Sequence, residues 1–149
     1  IFTDLTPLAE KSGITLELAG DGVMTGSDAL IYRMIFNLTE NAIKYNRPDG
    51  SVQVCITQEP EKLLILVSDT GQGIPEEYQQ SIFQPFFRVD KSRSRTFGGA
   101  GLGLALVWEI ANLHGGSVRV AESSDSGTTI AAELPRSGNH AADPKNETL

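Results

Sequence analysis

A single long helix, predicted from about Ser27 to Tyr45, constrains the fold more than any other stretch of the sequence. At about 100° per residue, Asn41 falls about 40° from Asn37, and Lys44 falls about 20° to the other side. Tyr45 falls about 80° from Asn37, in the same polar sector. Asparagine is a mediocre helix former, so two of them at i and i+4 favour a functional role, although a pair on a wet face is the alternative. Because the helix is otherwise apolar nearly all round, this stripe is predicted to face a cleft.

Shorter helical and strand patterns surround this helix. Val52, Val54 and Ile56 share one face of a predicted strand over 51–58. Residues 63–68 are almost continuously apolar, which predicts a strand in the middle of its sheet. The other predicted elements are helices over 2–12, 75–82 and 102–114 and strands over 15–19, 117–121 and 128–134. Residues 88–99 are predicted to form a mobile loop and 136–149 a polar tail.

Length, charge and cysteine content exclude several classes of function. The chain has 149 residues, which predicts one domain, and its net charge of −7 argues against nucleic acid or an anionic membrane as the main partner. The single cysteine, Cys55, fits a reducing compartment. His114 and His140 lie far apart, so no metal-ligand spacing is present, and no nucleophile-elbow motif occurs. The first residue, Ile1, is not a start methionine, so we expect the chain to be a piece of a longer protein.

The sequence from Asp69 to Pro75, Asp-Thr-Gly-Gln-Gly-Ile-Pro, follows the predicted central strand. A carboxylate in that place can accept a hydrogen bond from an exocyclic amine, and glycines allow the backbone to approach a flat ligand. An adenine amine suits this acceptor, whereas the carbonyl oxygen at the same edge of guanine would be repelled. The alternative is that the motif only forms a turn.

A glycine-rich segment, Gly-Gly-Ala-Gly-Leu-Gly-Leu over 98–104, leads directly into the last predicted helix. Backbone amides at a helix N-terminus favour phosphate. A dinucleotide-binding fingerprint would have to follow a strand immediately, but here a basic loop precedes the glycines. Residues 88–95 carry four of the twelve basic residues, which predicts a lid over polyphosphate. A flexible linker and a solvated charged loop are the alternatives.

The order of these motifs resembles one protein family closely. The chain contains Asn-x-x-x-Asn-Ala-x-Lys-Tyr, Asp-x-Gly-x-Gly-Ile-Pro, Phe-x-Pro-Phe-Phe-Arg and Gly-Gly-x-Gly-Leu-Gly-Leu, in that order. They resemble the N, G1, F and G2 boxes in the catalytic, ATP-binding domain of bacterial sensor histidine kinases. The wider group includes gyrase, Hsp90 and MutL ATPases. His114-Gly115-Gly116 and Gly127-Thr128 also fit this resemblance.

The resemblance implies an α/β two-layer sandwich of the Bergerat type, with a mixed sheet of about five strands and about three helices on one face. It also implies three parts: a connecting segment over 1–13 from a helical dimerisation domain, the ATP-binding domain over 14–135, and the tail over 136–149. The final strand has Ile130 where the family usually has an aromatic residue, and Asn46 stands where the family often has serine or threonine.

The resemblance further implies a site for ATP and Mg²⁺. Asn41 would ligate Mg²⁺ through its amide oxygen, and Asn37 would support the metal-bound waters. Lys44 would meet the phosphates, Tyr45 would cover the adenine face, and Asp69 would accept the adenine amine. The residues expected to serve catalysis are Asn37, Asn41, Lys44 and Arg88, the last as a γ-phosphate contact. The further nucleotide contacts implied are Gly71, Gly73, Ile74, Gly99, Gly101, Leu102, Gly103, Leu104 and Thr128.

The function that follows is donation of the γ-phosphate of ATP to a histidine on a helical phosphoacceptor domain that this chain lacks. A response-regulator receiver domain would then take the phosphate. The resemblance also implies a cytoplasmic location with no membrane contact by this domain. His114 is expected to be structural. Two alternatives are a serine protein kinase of the anti-sigma-factor type and a non-catalytic nucleotide-binding module, and we expect little activity from the isolated domain because its acceptor is missing.

Overall fold

The computed structural model describes residues 2–20, 28–84 and 103–136. In chain order the elements are α1 (Phe2–Ser12), β1 (Thr15–Gly20), α2 (Asp28–Lys44), β2 (Ser51–Gln58), β3 (Lys62–Asp69), α3 (Gly103–Leu113), β4 (Ser117–Ser124) and β5 (Gly127–Pro135). The predicted loop over 88–99 and the predicted tail beyond residue 136 lie outside the described residues. No helix in the described ranges is both long and apolar enough to span a membrane.

The five strands form one mixed sheet in the order β1-β2-β3-β5-β4. β1 is parallel to β2, whereas the pairs β2–β3, β3–β5 and β4–β5 are antiparallel. Two hairpins, β2–β3 and β4–β5, therefore meet at the centre of the sheet, where β3 pairs with β5. The prediction of a mixed five-stranded sheet is confirmed, and so is the central position of the apolar strand.

Alternation along β3 separates the two faces of the sheet. Leu63, Ile65 and Val67 are buried, whereas the residues between them are only partly covered. The inward face packs against the three helices, where Met34 of α2 and Ile110 of α3 are almost completely buried. Each such aliphatic side chain stabilises the fold by about 1.5–3 kcal/mol relative to exposure. The core of this two-layer domain therefore lies between one face of the sheet and the helices.

Two predicted elements differ from the structure. The helix predicted over 75–82 is instead two 3-10 helices, Glu76–Tyr78 and Ser81–Phe83. Only the second of them contributes buried side chains, so this short segment lacks the apolar face needed to offset the cost of nucleating an α-helix. Strand β4 extends to Ser124 and not only to residue 121, because pairing with β5 resumes after an irregularity between Val120 and Glu122.

Candidate functional site

The inward row of β3 ends on a carboxylate. Asp69 continues the alternation of Leu63, Ile65 and Val67, and its Cα pairs with Thr128 on β5. The side chain of Asp69 therefore lies on the helix-covered face of the sheet, at the end of β3 where the row of buried apolar side chains stops. A strand end with this register places a carboxylate acceptor at the rim of the core.

Asp69 Oδ1 is held by two backbone donors. The N–H of Gly71 donates to it at 2.9 Å, and the N–H of Thr128 donates to it at 3.2 Å. Burial raises the pKa of Asp69 above its ordinary value of 3.8, more than these two hydrogen bonds lower it. Within the described residues both bonds go to Oδ1, so Oδ2 is left to accept from a ligand.

The loop after Asp69 packs tightly against its surroundings. A Cβ on Gly71 would lie 2.8 Å from the backbone oxygen of Tyr45, so the loop touches the end of α2. Gly73 has φ +84°, and a Cβ there would lie 2.1 Å from the backbone oxygen of Ser124. Glycine is therefore required at both positions because other backbone segments of the chain approach closely, while the predicted approach to a flat ligand stays a prediction.

Hydroxyl groups of β4 and β5 hold the part of the same loop that follows Gly73. The N–H of Ile74 donates to Ser123 Oγ at 2.7 Å, and Ser123 Oγ lies 2.9 Å from Thr128 Oγ1. Thr128 is itself buried and donates its N–H to Asp69. The predicted contacts Gly71, Gly73, Ile74 and Thr128 are thus assembled around one carboxylate. Ser123 was not predicted, because strand β4 was expected to end before it.

The polar stripe of α2 lies beside this loop. The stripe residues Asn37, Asn41, Lys44 and Tyr45 are half-buried, while Ile43 behind them on the helix is 2% exposed. The stripe therefore lies neither in the core nor in open solvent, and its contact with a ligand stays a prediction.

Two of these side chains have features that suit a ligand. The amide of Asn41 makes no hydrogen bond to any described residue, although the side chain is half-buried. Lys44 Nζ lies 3.8 Å from Glu40 Oε1 in an i, i+4 ion pair. Such a pair contributes only about 0.3–0.5 kcal/mol, so a phosphate oxygen can replace the glutamate as the partner of Lys44.

The N-terminus of α3 meets α2 at the same place. Asn37 Nδ2 donates a weak hydrogen bond to the backbone oxygen of Gly103 at 3.5 Å. Gly103 and Leu104 are the first two residues of α3. The structure therefore brings the first predicted motif and the end of the glycine-rich motif together. The remaining predicted contacts, Arg88, Gly99, Gly101 and Leu102, lie outside the described residues.

The donor set fits a metal that enters with its ligand. Among the described residues no group of three or more histidine, cysteine, aspartate or glutamate side chains gathers at one point. Mg²⁺ is commonly held by one or two protein oxygens together with nucleotide phosphates and water. Asn41, whose amide oxygen has no partner within the described residues, fits that arrangement. Among the described residues, Asn41 is therefore the side chain that would fit a Mg²⁺ carried in by a nucleotide.

His114 has a structural role. It is 3% exposed, and its Nδ1 lies 2.8 Å from the backbone oxygen of Ile110 at the end of α3. The helix ends at the following glycines, where the N–H of Gly116 donates to the backbone oxygen of Ala111 at 2.8 Å. A buried ring that closes a helix is inaccessible to a second protein, in agreement with the expected structural role.

Known proteins match both the sequence and the fold. The profile of the family described as histidine kinase-, DNA gyrase B-, and HSP90-like ATPase matches residues 26–138. The sensor histidine kinase RppB of Synechocystis sp. is 38% identical over 117 residues, which cover 78% of this chain and 26% of RppB. The chain therefore spans about a quarter of the length of that relative.

Solved structures agree. The catalytic domain of histidine kinase ThkA superposes with a TM-score of 0.78 at 25% identity, covering 91% of this chain and 89% of the ThkA chain. The mycobacterial sensor histidine kinase MprB superposes with a TM-score of 0.76 at 30% identity, covering 89% of this chain and 91% of the MprB chain. The fold is therefore that of histidine kinase catalytic domains, and the chain belongs to the histidine kinase-, DNA gyrase B- and HSP90-like ATPase family.

Proposed function

We propose that this domain binds Mg·ATP and donates the γ-phosphate to a histidine on a helical phosphoacceptor domain of a sensor histidine kinase. A response-regulator receiver domain would receive the phosphate next, in the cytoplasm, where both ATP and such regulators are found. The family of the chain and the names of its relatives support this proposal.

The observation that carries the proposal is the arrangement at Asp69. Two backbone N–H groups fix Oδ1, which leaves Oδ2 without a hydrogen-bond donor among the described residues. A carboxylate oxygen can only accept, so it pairs with the exocyclic amine of adenine and repels the carbonyl oxygen of guanine. Burial strengthens this discrimination because a buried acceptor that faces a mismatched group cannot form a hydrogen bond to water instead.

The polar stripe of α2 is suited to the phosphate end of the same ligand. Asn41 would hold Mg²⁺ through its amide oxygen, and Asn37 would orient metal-bound water one turn away. Lys44 would exchange its weak ion pair with Glu40 for a phosphate oxygen. The backbone amides that open α3, near Gly103, would hold phosphate oxygens at a helix N-terminus.

In the transfer itself, a nitrogen of the acceptor histidine attacks the γ-phosphorus and the bond to the β,γ-bridging oxygen breaks, so that ADP leaves. A Mg²⁺ held at Asn41 would supply positive charge that offsets the charge of the phosphates. The residues of this chain bind and align the nucleotide, because positioning and electrostatics supply most of the catalysis of phosphoryl transfer. The acceptor is not among these residues, so we expect slow or absent turnover by the domain alone.

The test has two stages. Calorimetric titration of the purified chain should show ATP binding that depends on Mg²⁺, and GTP should bind at least about tenfold more weakly. Asn41→Ala should remove the dependence on Mg²⁺, whereas Asn112→Ala, on the exposed face of α3, should not. Absence of ATP binding would favour a regulatory module that has lost its ligand.

The second stage supplies a helical acceptor domain as a separate polypeptide together with ATP labelled at the γ-phosphate. Label on histidine is lost in acid and kept in base, because it is a phosphoramidate. Label that survives acid would be a phosphoester and would instead indicate a serine kinase of the anti-sigma-factor type. Rapid hydrolysis of ATP by the domain alone would contradict the proposal that its acceptor is needed.

A further inference from the structure

Asn46 is a buried polar residue that joins three parts of the chain. Its side chain follows the last turn of α2, and the residue is 8% exposed. Oδ1 accepts from the N–H of Arg47 at 2.8 Å and from Thr70 Oγ1 at 3.0 Å. Nδ2 donates to the backbone oxygen of Ser51 at 2.8 Å. The carboxamide therefore bonds the helix end, the start of β2 and the loop after β3.

The partner in that loop is the residue immediately after Asp69. Thr70 Oγ1 accepts from the N–H of Ser51 at 2.9 Å, and the N–H of Thr70 donates to the backbone oxygen of Ser51 at 3.2 Å. Thr70 is thus clamped to β2 on its backbone and to Asn46 through its hydroxyl. Because consecutive residues cannot move independently, this clamp also limits the movement of Asp69.

The same clamp fixes the loop relative to α2. Gly71 packs against the backbone of Tyr45 and Asn46, since a Cβ on it would lie 2.8 Å from the first and 3.4 Å from the second. Gly71 also supplies one of the N–H groups that hold Asp69 Oδ1. The loop that carries Asp69 is therefore held against the backbone of Tyr45, which ends the polar stripe, beside the bonds that converge on Asn46.

We propose that Asn46 is a positioning residue that confers selectivity for the 6-amino group of adenine by holding Asp69 at a fixed distance from Tyr45. This inference rests on the proposed function, since it concerns the same nucleotide site. A carboxamide suits the task because it presents an acceptor and a donor at the end of one side chain. A serine hydroxyl would carry both roles on one atom nearer the main chain, whereas the carboxamide accepts from Thr70 on Oδ1 and donates to the Ser51 carbonyl from Nδ2.

The experiment compares ATP with purine riboside triphosphate, which lacks only the 6-amino group. Affinities for both are measured by calorimetry with Mg²⁺ on the wild type, Asn46→Ala, Thr70→Val and the matched control Asn112→Ala. We expect the wild type to favour ATP by about tenfold or more. Asn46→Ala and Thr70→Val should reduce that ratio to about threefold or less, with little change in the affinity for purine riboside triphosphate.

Loss of packing alone gives a different result. A variant that is only less stable has lower folded content but an unchanged ratio between the two ligands. Val118→Ala, which leaves a cavity in the core beside β4, serves as the control for reduced stability alone. Thr70 is exposed, so Thr70→Val should fold even if Asn46→Ala does not. In the Asp69→Asn background, Asn46→Ala should leave the ratio unchanged, because the group through which it acts is gone.

The outcomes separate this inference from the proposed function. A wild type that binds neither ligand overturns both. A wild type that favours ATP, together with Asn46→Ala and Thr70→Val variants that keep the same ratio, overturns the role of Asn46 and leaves the proposed function standing. A reduced ratio in both variants, with the wild-type ratio kept in Val118→Ala and Asn112→Ala, supports the positioning role.

Discussion

Replacing Asp69 by asparagine separates the contribution of this residue to binding from its contribution to stability. The change keeps the shape of the side chain and exchanges Oδ2 for an amide nitrogen. The amide oxygen can still accept from the N–H groups of Gly71 and Thr128, and those two donors exclude the flipped orientation. The amide nitrogen then points where adenine presents its own donor, so one acceptor is lost and a donor faces a donor.

Affinity and stability should therefore move in different directions. Loss of the acceptor should cost about 1–3 kcal/mol of binding free energy, which is roughly a tenfold to hundredfold weaker affinity for ATP. The new donor matches the carbonyl oxygen of guanine, so the ratio of ATP to GTP affinity should fall further than the ATP affinity alone.

The stability follows from the raised pKa of Asp69. The folded state holds the proton more tightly than the unfolded chain, whose carboxyl titrates near 3.8. The contribution of Asp69 to the free energy of unfolding therefore falls as the pH rises from 3.8 to the pKa of the folded state, and it stays at this lower level at higher pH. Asparagine cannot ionise, so at neutral pH Asp69→Asn should be at least as stable as the wild type.

The assay is calorimetry for affinity and chemical denaturation at several pH values for the free energy of unfolding, with the exposed Asp125→Asn as the matched control. An Asp69→Asn variant that binds ATP within about threefold of the wild type would refute the role of the carboxylate. A variant that is clearly less stable at neutral pH would refute the argument that burial dominates the pKa of Asp69. Asp125→Asn should change neither quantity.

Three further predictions concern the surroundings of the site. Gly73→Ala should lower ATP affinity and should lower the free energy of unfolding by at least about 1 kcal/mol, because a Cβ at φ +84° would meet the backbone oxygen of Ser124. Calorimetry measures the affinity and thermal unfolding the stability, and an unchanged melting temperature would contradict the prediction. His114→Gln should destabilise the domain by about 1–3 kcal/mol through its buried bond to Ile110, yet leave the ATP affinity of the folded protein unchanged; weaker binding at full folding would contradict a purely structural role. Glu133→Gln removes two ion pairs, in which hydrogen bonding and charge from the basic partners hold the pKa of Glu133 below 4.5. The variant should therefore be slightly less stable than the wild type at pH 7, and this difference should disappear as the pH falls below that value. A difference that persisted in acid would argue against the ion pairs as its source.

The strands and helices of this domain could be predicted because their patterns are local. The alternation in β2 and the polar sector of α2 each follow from residues within one element, and both are present in the structure. The continuous apolar run of β3 likewise predicts its central place in the sheet, with Asp69 at its end. What the pattern could not predict was the two 3-10 helices over 76–83, because a short segment with little apolar surface leaves the periodicity ambiguous.

The connections between motifs could not be predicted from those patterns, because they join residues that are distant in sequence. Asn46 bonds Thr70, 24 residues away, and Ser123 bonds Ile74, 49 residues away. Both are small polar residues of a kind that occurs in any turn, so neither stands out in the sequence. In the sequence alone, Asn46 is notable only as a departure from the pattern of the family.

There is a physical reason why the sequence predicts the roles of some residues of the site and not of others. A ligand-binding group must present a particular chemistry at one point, so its residue type is restricted and its motif is recognisable. A residue that holds such a group only needs a donor or acceptor within reach, so several residue types can serve. The family often has serine or threonine where this chain has Asn46, and the carboxamide accepts from Thr70 and donates to the Ser51 carbonyl through two different atoms. If Asn46 holds Asp69 as we propose, selectivity for a nucleotide depends on how rigidly the acceptor is held as well as on the motif that carries it.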